Sequence, residues 1–400
     1  MHREGIGLVH LHSVSNACRQ RLAVARNAAP VPYVITLHDL LFINPHAFEA
    51  LGSPAADMDW IGGLASTFEN AAVVIAPSPF IRDAALRAFP GVRIDIIEPG
   101  IEVSAFAKPS TTLGPPADFA AAAPRQVIAV VGAIGPHKGS GVLDALAAQL
   151  EGSDVGIVVI GYVDSHLTRG WVVPGRYYVH GPYRDHELSQ LLSSYGVRVG
   201  LFPNRLPEAF SYTLSELWAA RVPVIVPDEG ALGERVSALG GGWKLPSNYD
   251  ATAIASFVLR LLSTQGASEL ARVQSEISSR DVRLAPALTA MADSINALYD
   301  RFSAHAPSAA RDDAAAALAP LLAVNLDGFR FRDELVALTN EITQTRDWMA
   351  KLERDIATLN TEIARLAEDN RRLADDKAAF DLLPEVLRKF LLRRVFRARS

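Results

Sequence analysis

Two glutamates stand eight positions apart in the segment Pro207-Glu-Ala-Phe-Ser-Tyr-Thr-Leu-Ser-Glu216. On a helix this spacing is slightly more than two turns, so the carboxylates of Glu208 and Glu216 would point the same way. Pro207 precedes an apolar run, and Val222–Val226 has the pattern of a buried strand. The carboxylates are therefore expected to flank a loop and a helix start ahead of a core strand. In α/β proteins this is a place where phosphorylated ligands bind.

Short β-branched runs alternate with helical stretches up to about residue 285, a pattern typical of β-α-β units and parallel sheets. A Pro- and Ala-rich connection, Lys108–Arg125, divides these runs into two series, which predicts two lobes with a cleft between them. The predicted strands are Gly7–His12, Tyr33–Leu37, Ala72–Ala76 and Ile94–Glu98, followed by Gln126–Val131, Gly156–Ile160, Tyr177–Val179, Val197–Phe202 and Val222–Val226.

Composition narrows the class of protein. The chain has 400 residues, 49% of them hydrophobic, and a net charge of −5, which argues against broad nucleic-acid binding. Its one cysteine, Cys18, excludes an internal disulfide and fits a reducing cytoplasm. No apolar run is long enough to span a membrane, and Met1–Asn16 lacks the plan of a signal peptide. We therefore expect a cytoplasmic protein whose membrane contacts are peripheral.

The hydrophobic period changes after an Ala-, Pro- and Ser-rich stretch at Ala304–Ala323. From Leu335 to Leu373 the core positions alternate spacings of three and four over more than five heptads, with Asn370 at an a position. This pattern predicts a parallel dimeric coiled coil over residues 331–381. The alternative, an amphipathic helix packed on the body, normally shows a broader apolar stripe with a period of about 3.6.

The last residues carry six basic side chains against one acidic side chain between Glu385 and Ser400. A basic amphipathic segment of this kind can lie on an anionic membrane surface, and dimerisation would strengthen that binding. A solvated or partner-docked helical end is the alternative for this tail.

Several further segments occur in a fixed order with the one around Glu208. They are Thr36-Leu-His-Asp39, Ala76-Pro-Ser78, Glu98-Pro-Gly-Ile101, Val131-Gly-Ala-Ile-Gly-Pro-His-Lys-Gly139, Ala219-Ala-Arg-Val-Pro-Val224 and Gly230-Ala-Leu-Gly-Glu234. This ordered set resembles the retaining glycosyltransferases of family 4, which have the GT-B fold of two Rossmann-like lobes. The resemblance covers residues 8–285.

The resemblance implies a division of the chain into five parts. These are a partial acceptor-side lobe (1–107), a nucleotide-sugar donor-side lobe (108–285), a helix and Ala/Pro-rich linker (286–330), the coiled coil (331–381) and the basic tail (382–400). The first lobe is expected to be incomplete, because family members open with an earlier strand and a glycine-rich loop that approaches donor and acceptor.

The resemblance also assigns roles in the donor site. It implies that Glu216 binds the ribose hydroxyls of a nucleotide sugar, that Glu208 lies by the donor sugar, and that Lys138 neutralises the diphosphate. Backbone groups beside helix starts would contact phosphate oxygens. The positions concerned are Gly132, Phe210, Ser211, Tyr212, Thr213, Gly230, Ala231 and Leu232. The alternative is that Glu208 and Glu216 are solvent-facing acids stabilised by a helix dipole.

His38 follows the predicted strand Tyr33–Leu37 and therefore lies at the carboxyl end of a sheet. In the family a histidine here reaches the donor's sugar and phosphate; otherwise a histidine after a strand is often a capping or packing residue. Asp39 is expected to cap a helix. No Asp-x-Asp motif stands in a suitable place, so neither a metal nor a cofactor is expected beyond the nucleoside-diphosphate sugar itself.

The chain departs from the family at Ala133, where most relatives carry an arginine that contacts the diphosphate. Arg205 is the predicted substitute because it stands just before Glu208 in the same loop, and His137 is the alternative.

The resemblance implies an enzyme that transfers a sugar, with retention, onto a bacterial surface polysaccharide or lipid-linked glycan at the inner face of the cytoplasmic membrane. One alternative is a non-catalytic dimeric scaffold or nucleotide-sugar-binding module of a polysaccharide-assembly complex. A nucleotide-sugar epimerase of the same fold ranks below both, since it has no obvious use for the coiled coil and tail.

Overall fold

The structure is a computed structural model that describes residues 8–12, 32–49, 53–102, 114–166, 168–246, 248–279, 286–303, 365 and 368. The chain divides into two compact units, Met1–Pro320 and Leu321–Ser400. In the second unit Arg365 and Glu368 are described, both helical and exposed. Except at these two positions, the predicted coiled coil and the basic tail lie outside the described residues, as do Cys18 and the linker Ala304–Ala323.

The first lobe of the larger unit holds a parallel sheet in the order β1-β2-β3-β4. Its strands are β1 (Val9–Leu11), β2 (Tyr33–Thr36), β3 (Val73–Ala76) and β4 (Ile94–Ile96). Among its described residues it has the helices α1 (Met58–Glu69) and α2 (Pro79–Ala88). Helix α1 begins at the N-cap Asp57, whereas α2 begins at the N-cap Ser78 followed by a proline at the first helical position, the usual start signals of a helix.

The second lobe holds a seven-stranded sheet in the order β11-β10-β9-β5-β6-β8-β7, parallel except for β7. The strands are β5 (Gln126–Ile134), β6 (Val155–Val163), β7 (Gly170–Val173), β8 (Tyr177–Gly181), β9 (Val197–Leu201), β10 (Val224–Pro227) and β11 (Gly242–Leu245). The helices are α3 (Ala117–Ala120), α4 (Ser140–Gln149), α5 (Leu188–Ser194), α6 (Tyr212–Ala219), α7 (Gly230–Leu239), α8 (Ala251–Leu262) and α9 (Ala267–Ser279).

Helices cover both faces of the second sheet, which explains why its central strands β5 and β6 are apolar along most of their length. Leu143, Leu146 and Ile254 pack on one face, and Phe119, Leu214 and Trp218 pack on the other. Strand β5 lies in the middle of the order, so its carboxyl end is flanked by those of β6 and β9. In open α/β sheets, ligands bind beyond such carboxyl ends.

A last described helix, α10 (Leu288–Ser303), follows the second lobe in sequence but packs on the first. Leu298 is buried against Val34, Val73 and Ile75 of the first sheet, and Arg301 donates to Asp95 at 2.8 Å. The helix predicted within residues 286–330 is therefore part of the first lobe's packing.

The predicted two-lobed α/β architecture is confirmed, with differences in detail. Strands β7 and β11 are not among the predicted strands, because each is short and only partly buried. Asp39 does not cap a helix: its Oδ1 accepts the Leu41 N–H at 2.8 Å within a turn. Over the ranges that the structure describes, no helix is long and apolar enough to cross a membrane.

Candidate donor site

The loop after β5 carries Lys138 and is held close to the loop after β9. Pro136–Lys138 forms a 3-10 turn, and Gly139 then adopts a φ of +84° before helix α4 begins. A Cβ on Gly139 would lie 2.0 Å from the Pro203 carbonyl oxygen, so only glycine allows this approach. The carbonyl of His137 accepts the N–H groups of Arg205 and Leu206 at 2.9 and 3.0 Å. These contacts fix the two loops against each other.

Lys138 and Glu208 meet between these loops. The Lys138 Nζ lies 3.5 Å from Glu208 Oε1, and Asn204 Nδ2 donates to the same oxygen at 2.8 Å. The side chains of Lys138 and Glu208 are 34% and 21% exposed, so both still reach solvent. A cation and a carboxylate therefore stand together at the carboxyl ends of β5 and β9.

Glu208 and Glu216 do not lie on one helix, so the prediction from their spacing of eight residues, that both point the same way from a helix, is wrong. Glu208 lies in the loop after β9, and helix α6 begins only at Tyr212, so Glu216 is in its second turn. The two prolines and the polar residues between Phe202 and Ser211 keep the chain irregular here. The two carboxylates therefore flank the start of α6, as the second part of the prediction states.

The start of α7 packs on the backbone of Glu208. Gly230 has a φ of +65°, and a Cβ there would lie 2.9 Å from the Glu208 amide nitrogen. The Ala231 N–H donates to the Glu208 carbonyl at 2.9 Å. The Ala231 amide was predicted, like the amides of Gly230 and Leu232, to contact a phosphate. In the structure it holds the loop that carries Glu208.

Gly132 and the start of α6 are neighbours. Gly132 has a φ of +115°, and a Cβ on it would lie 3.7 Å from the Thr213 methyl group. Phe210 is buried, Tyr212 is 52% exposed, and Ser211 Oγ accepts the Leu214 N–H as the N-cap of α6. The residues predicted around the donor phosphates thus lie together at one edge of the sheet.

The structure gives Arg205 a different partner from the predicted one. Its Nη1 donates to the Tyr249 carbonyl at 3.1 Å, and its guanidinium lies 5.6 Å from the centre of the Tyr249 ring. Tyr249 in turn donates from its hydroxyl to the Asn204 carbonyl. The geometry shows Arg205 supporting this loop, and its predicted role as a second phosphate cation stays a prediction.

His38 follows β2, as predicted, and is hydrogen bonded to another histidine. His38 Nε2 and His12 Nδ1 are 3.1 Å apart, and the two rings stack. Burial is the larger cause and the proximity of His12 the smaller cause that lower the pKa of His38, while the nearby Asp39 opposes the shift. The ring is therefore neutral at neutral pH. The described residues contain no group of three ligating side chains that could hold a metal ion.

Two contacts join the start of α2 to the second lobe, one at the loop that carries Glu208 and one at Glu234 of α7. Ser78 Oγ donates to the Ala209 carbonyl at 2.7 Å, and the Phe80 N–H donates to Glu234 Oε2 at 2.9 Å. The prediction from sequence gave these residues no role. The Ser-Pro start of α2 marks an N-cap, but nothing local shows that its hydroxyl and amide reach the other lobe.

Three comparisons bear on identity. Residues 1–105 match the sequence profile of Glycosyltransferase Family 4. The chain is 27% identical over 274 residues to the alpha-maltose-1-phosphate synthase of Mycolicibacterium smegmatis, a match that covers 64% of this chain and 68% of that protein.

Solved structures share the fold. The sucrose-phosphate synthase of Thermosynechococcus elongatus superposes with a TM-score of 0.55 at 20% identity, over 74% of each chain. HepE of Anabaena, solved with UDP and glucose, superposes with a TM-score of 0.57 at 17% identity, over 74% of this chain and 78% of that one. By sequence and fold, this chain therefore resembles the GT-B glycosyltransferases of family 4, and the resemblance supports a transferase.

Proposed function

We propose that the chain transfers a sugar from a nucleoside-diphosphate sugar to a glycan acceptor, with retention at the anomeric carbon. The observation that carries the proposal is the pairing of Lys138 with Glu208, 3.5 Å apart, where the carboxyl ends of β5 and β9 meet. A cation at this place can neutralise a diphosphate, and a carboxylate beside it can accept hydrogen bonds from a sugar. The complex of HepE with UDP and glucose makes a uridine nucleotide the first donor to test.

In the proposed reaction the bond between the anomeric carbon and the phosphate oxygen breaks, and a bond from that carbon to an acceptor oxygen forms. The acceptor proton passes to an oxygen of the leaving diphosphate, so no side chain need act as a nucleophile. Lys138 stabilises the charge that develops on the leaving group, which is an electrostatic contribution to catalysis. Glu216 binds the ribose, and the neutral His38 reaches the donor from the first lobe.

Calorimetric titration with UDP-, GDP- and dTDP-sugars tests the donor site. We expect Lys138→Met and Glu216→Ala each to weaken binding by about tenfold or more, because each removes a hydrogen bond that involves a charged group. Arg176→Met is a matched control, because Arg176 is also half-buried and paired with a glutamate, at 3.1 Å, but lies before β8 at the opposite edge of the sheet. Equal affinities in all three variants would refute the proposed donor site.

The second candidate function is a nucleotide-sugar-binding or scaffolding module without catalysis. Ala133 favours it, since this exposed position at the end of β5 supplies no cation for a leaving diphosphate. Release of nucleoside diphosphate from a bound donor, in the presence of glycan or lipid-linked glycan acceptors, separates the two. Binding without any turnover would favour the module.

We further propose a parallel dimer through residues 331–381 and contact of residues 385–400 with the anionic inner face of a bacterial cytoplasmic membrane. Support comes from the heptad period and the six basic residues of the tail. Light scattering should give twice the mass of one chain, and vesicles with anionic lipid should bind the full chain but not one that ends at residue 384. A monomeric mass would refute the dimer, whereas equal binding by both chains would refute the tail's role.

A further inference from the structure

Arg235 is the one charged side chain that is buried in the part of the chain that the structure describes. It lies in α7 with 6% of its surface exposed. Its Nη1 donates to the carbonyls of Phe210 and Ser211, both at 3.1 Å, and its Nη2 donates to Ser215 Oγ at 2.8 Å. Burial lowers the pKa of the guanidinium to about 10, with Glu98 opposing, so the group stays cationic at neutral pH. A buried cation is costly unless such hydrogen bonds compensate for its lost hydration.

The residue that Arg235 holds has an unusual backbone. Ser211 has a φ of +74°, a region that favours glycine, and in the described chain Arg221 is the other non-glycine residue with a positive φ. Ser211 is also the N-cap of α6. Its own side chain bonds to Leu214 N–H, which satisfies the helix start but does not fix the peptide groups on either side of Ser211.

Arg235 fixes those two peptide groups. A trans peptide holds its C=O and N–H in opposite directions, so the carbonyls of Phe210 and Ser211 cannot turn toward the guanidinium without turning the N–H groups of Ser211 and Tyr212 away from it. The guanidinium lies on the core side, 4.0 Å from the centre of the Phe210 ring and 5.2 Å from that of Trp218. The two N–H groups therefore point toward the side where Tyr212 is exposed.

We propose that Arg235 is a positioning residue of the donor site, which orients the peptide groups of residues 210–212 so that successive N–H groups face the diphosphate. The inference rests on the proposed function, because that function supplies the diphosphate. Successive N–H groups at a helix start bind phosphate well. Without Arg235, the strained serine relaxes, both peptide groups turn, and the oriented donors are lost although Lys138 is untouched.

Binding of UDP, GDP and ADP, measured by calorimetry well below the unfolding temperature, tests the proposal. We expect Arg235→Met to weaken binding of the preferred nucleotide by about tenfold, the effect of losing oriented hydrogen bonds to a charged group. Arg260→Met is the control, because Arg260 likewise lies over a phenylalanine, Phe257, at 4.9 Å, but it is in α8 and pairs with Glu269 of α9 at 2.7 Å. Its binding should equal that of the wild type.

A second substitution distinguishes positioning from general support. Glycine adopts a positive φ at little cost, so Ser211→Gly should recover most of the affinity that Arg235→Met loses. Arg235→Lys keeps the charge but cannot reproduce the planar fork of the guanidinium, so its loss of nucleotide affinity should be intermediate. This lysine variant replaces the methionine variant if Arg235→Met does not fold. A lower unfolding temperature with unchanged nucleotide affinity would overturn the proposal.

Stability separates the failure of this inference from failure of the proposed function. If Arg235 restrains Ser211, then Arg235→Met should lower the unfolding temperature less in the Ser211→Gly background than in the wild type. A wild-type chain that binds none of the nucleotides would refute the donor site. The smaller effect of Arg235→Met in the Ser211→Gly background would then still measure how strongly Arg235 restrains Ser211. Additive shifts in unfolding temperature would refute the restraint itself.

Discussion

His10 links the sheet of the first lobe to the last described helix, and its burial predicts a loss of stability in acid. Its Nδ1 and the Tyr299 hydroxyl of α10 are 2.5 Å apart, and its Nε2 lies 2.7 Å from Thr36 Oγ1 at the end of β2. One face of the ring stacks on His12, with ring centres 4.1 Å apart. Burial, then the proximity of His12 and His38, lowers the pKa of His10 to about 4.

The sign and size of the effect follow from proton linkage. The pKa in the folded state, about 4, lies below the ordinary value of 6.5, so between these values the unfolded chain binds more protons than the folded one. Stability therefore falls as the pH falls through this window. From pH 7 to pH 5 the shift corresponds to about 2 kcal/mol, and the partial exposure of the ring reduces this to roughly 1 kcal/mol.

The assay is urea unfolding at pH 7 and pH 5 of the wild type and of His10→Gln, whose amide does not titrate. We expect the free energy of unfolding to fall by about 1 kcal/mol more in the wild type than in the variant. His46→Gln is the control for the loss of an exposed imidazole, because the His46 side chain is 71% exposed. An identical pH dependence in the wild type and in His10→Gln would refute the reasoning.

Two further predictions concern the packing of the site. Gly139→Ala would place a Cβ 2.0 Å from the Pro203 carbonyl at a φ of +84°, so we expect a loss of more than about 2 kcal/mol in the free energy of unfolding, together with weaker nucleotide binding. Gly141→Ala, with no atom within 4 Å of its Cβ, should leave both nearly unchanged, and equal losses in the two variants would contradict the steric argument. Glu234→Gln removes a charge from the start of α2 and weakens the bond to the Phe80 N–H, so we expect a loss of about 1 kcal/mol in urea unfolding. An unchanged unfolding free energy would show that this contact between the lobes contributes little.

Much of the fold could be predicted because the relevant signals are local. Most strands of the two sheets are short apolar runs rich in β-branched residues, and in the second lobe Ile128, Val158, Val199 and Ile225 are fully buried. Such residues fit a sheet covered on both faces and fit solvent poorly. Strands β7 and β11 were missed because they are partly exposed, so their sequences lack that signal.

The site could be predicted in part. Lys138 follows one strand and Glu208 another, and the rule that ligands bind at carboxyl ends of parallel strands places both at the same edge. Helical periodicity was the wrong argument for Glu208 and Glu216, because the chain remains a loop up to Ser211. Arg205 was matched to the phosphates by its nearness in sequence, but a long side chain can turn to either side of a loop, and here it turns to Tyr249.

The sequence by itself determined the alternation of strands and helices, the division into two lobes and the residue types at the candidate site, since each depends on neighbours within a few turns of the chain. Only the tertiary structure decided how distant segments meet. It put Ser78 against Ala209 and helix α10 against the first sheet, and it buried Arg235 under Ser211. The residues in contact are separated in sequence by as few as 24 and by more than 200 positions. Their geometry depends on how whole elements pack, which no local pattern encodes.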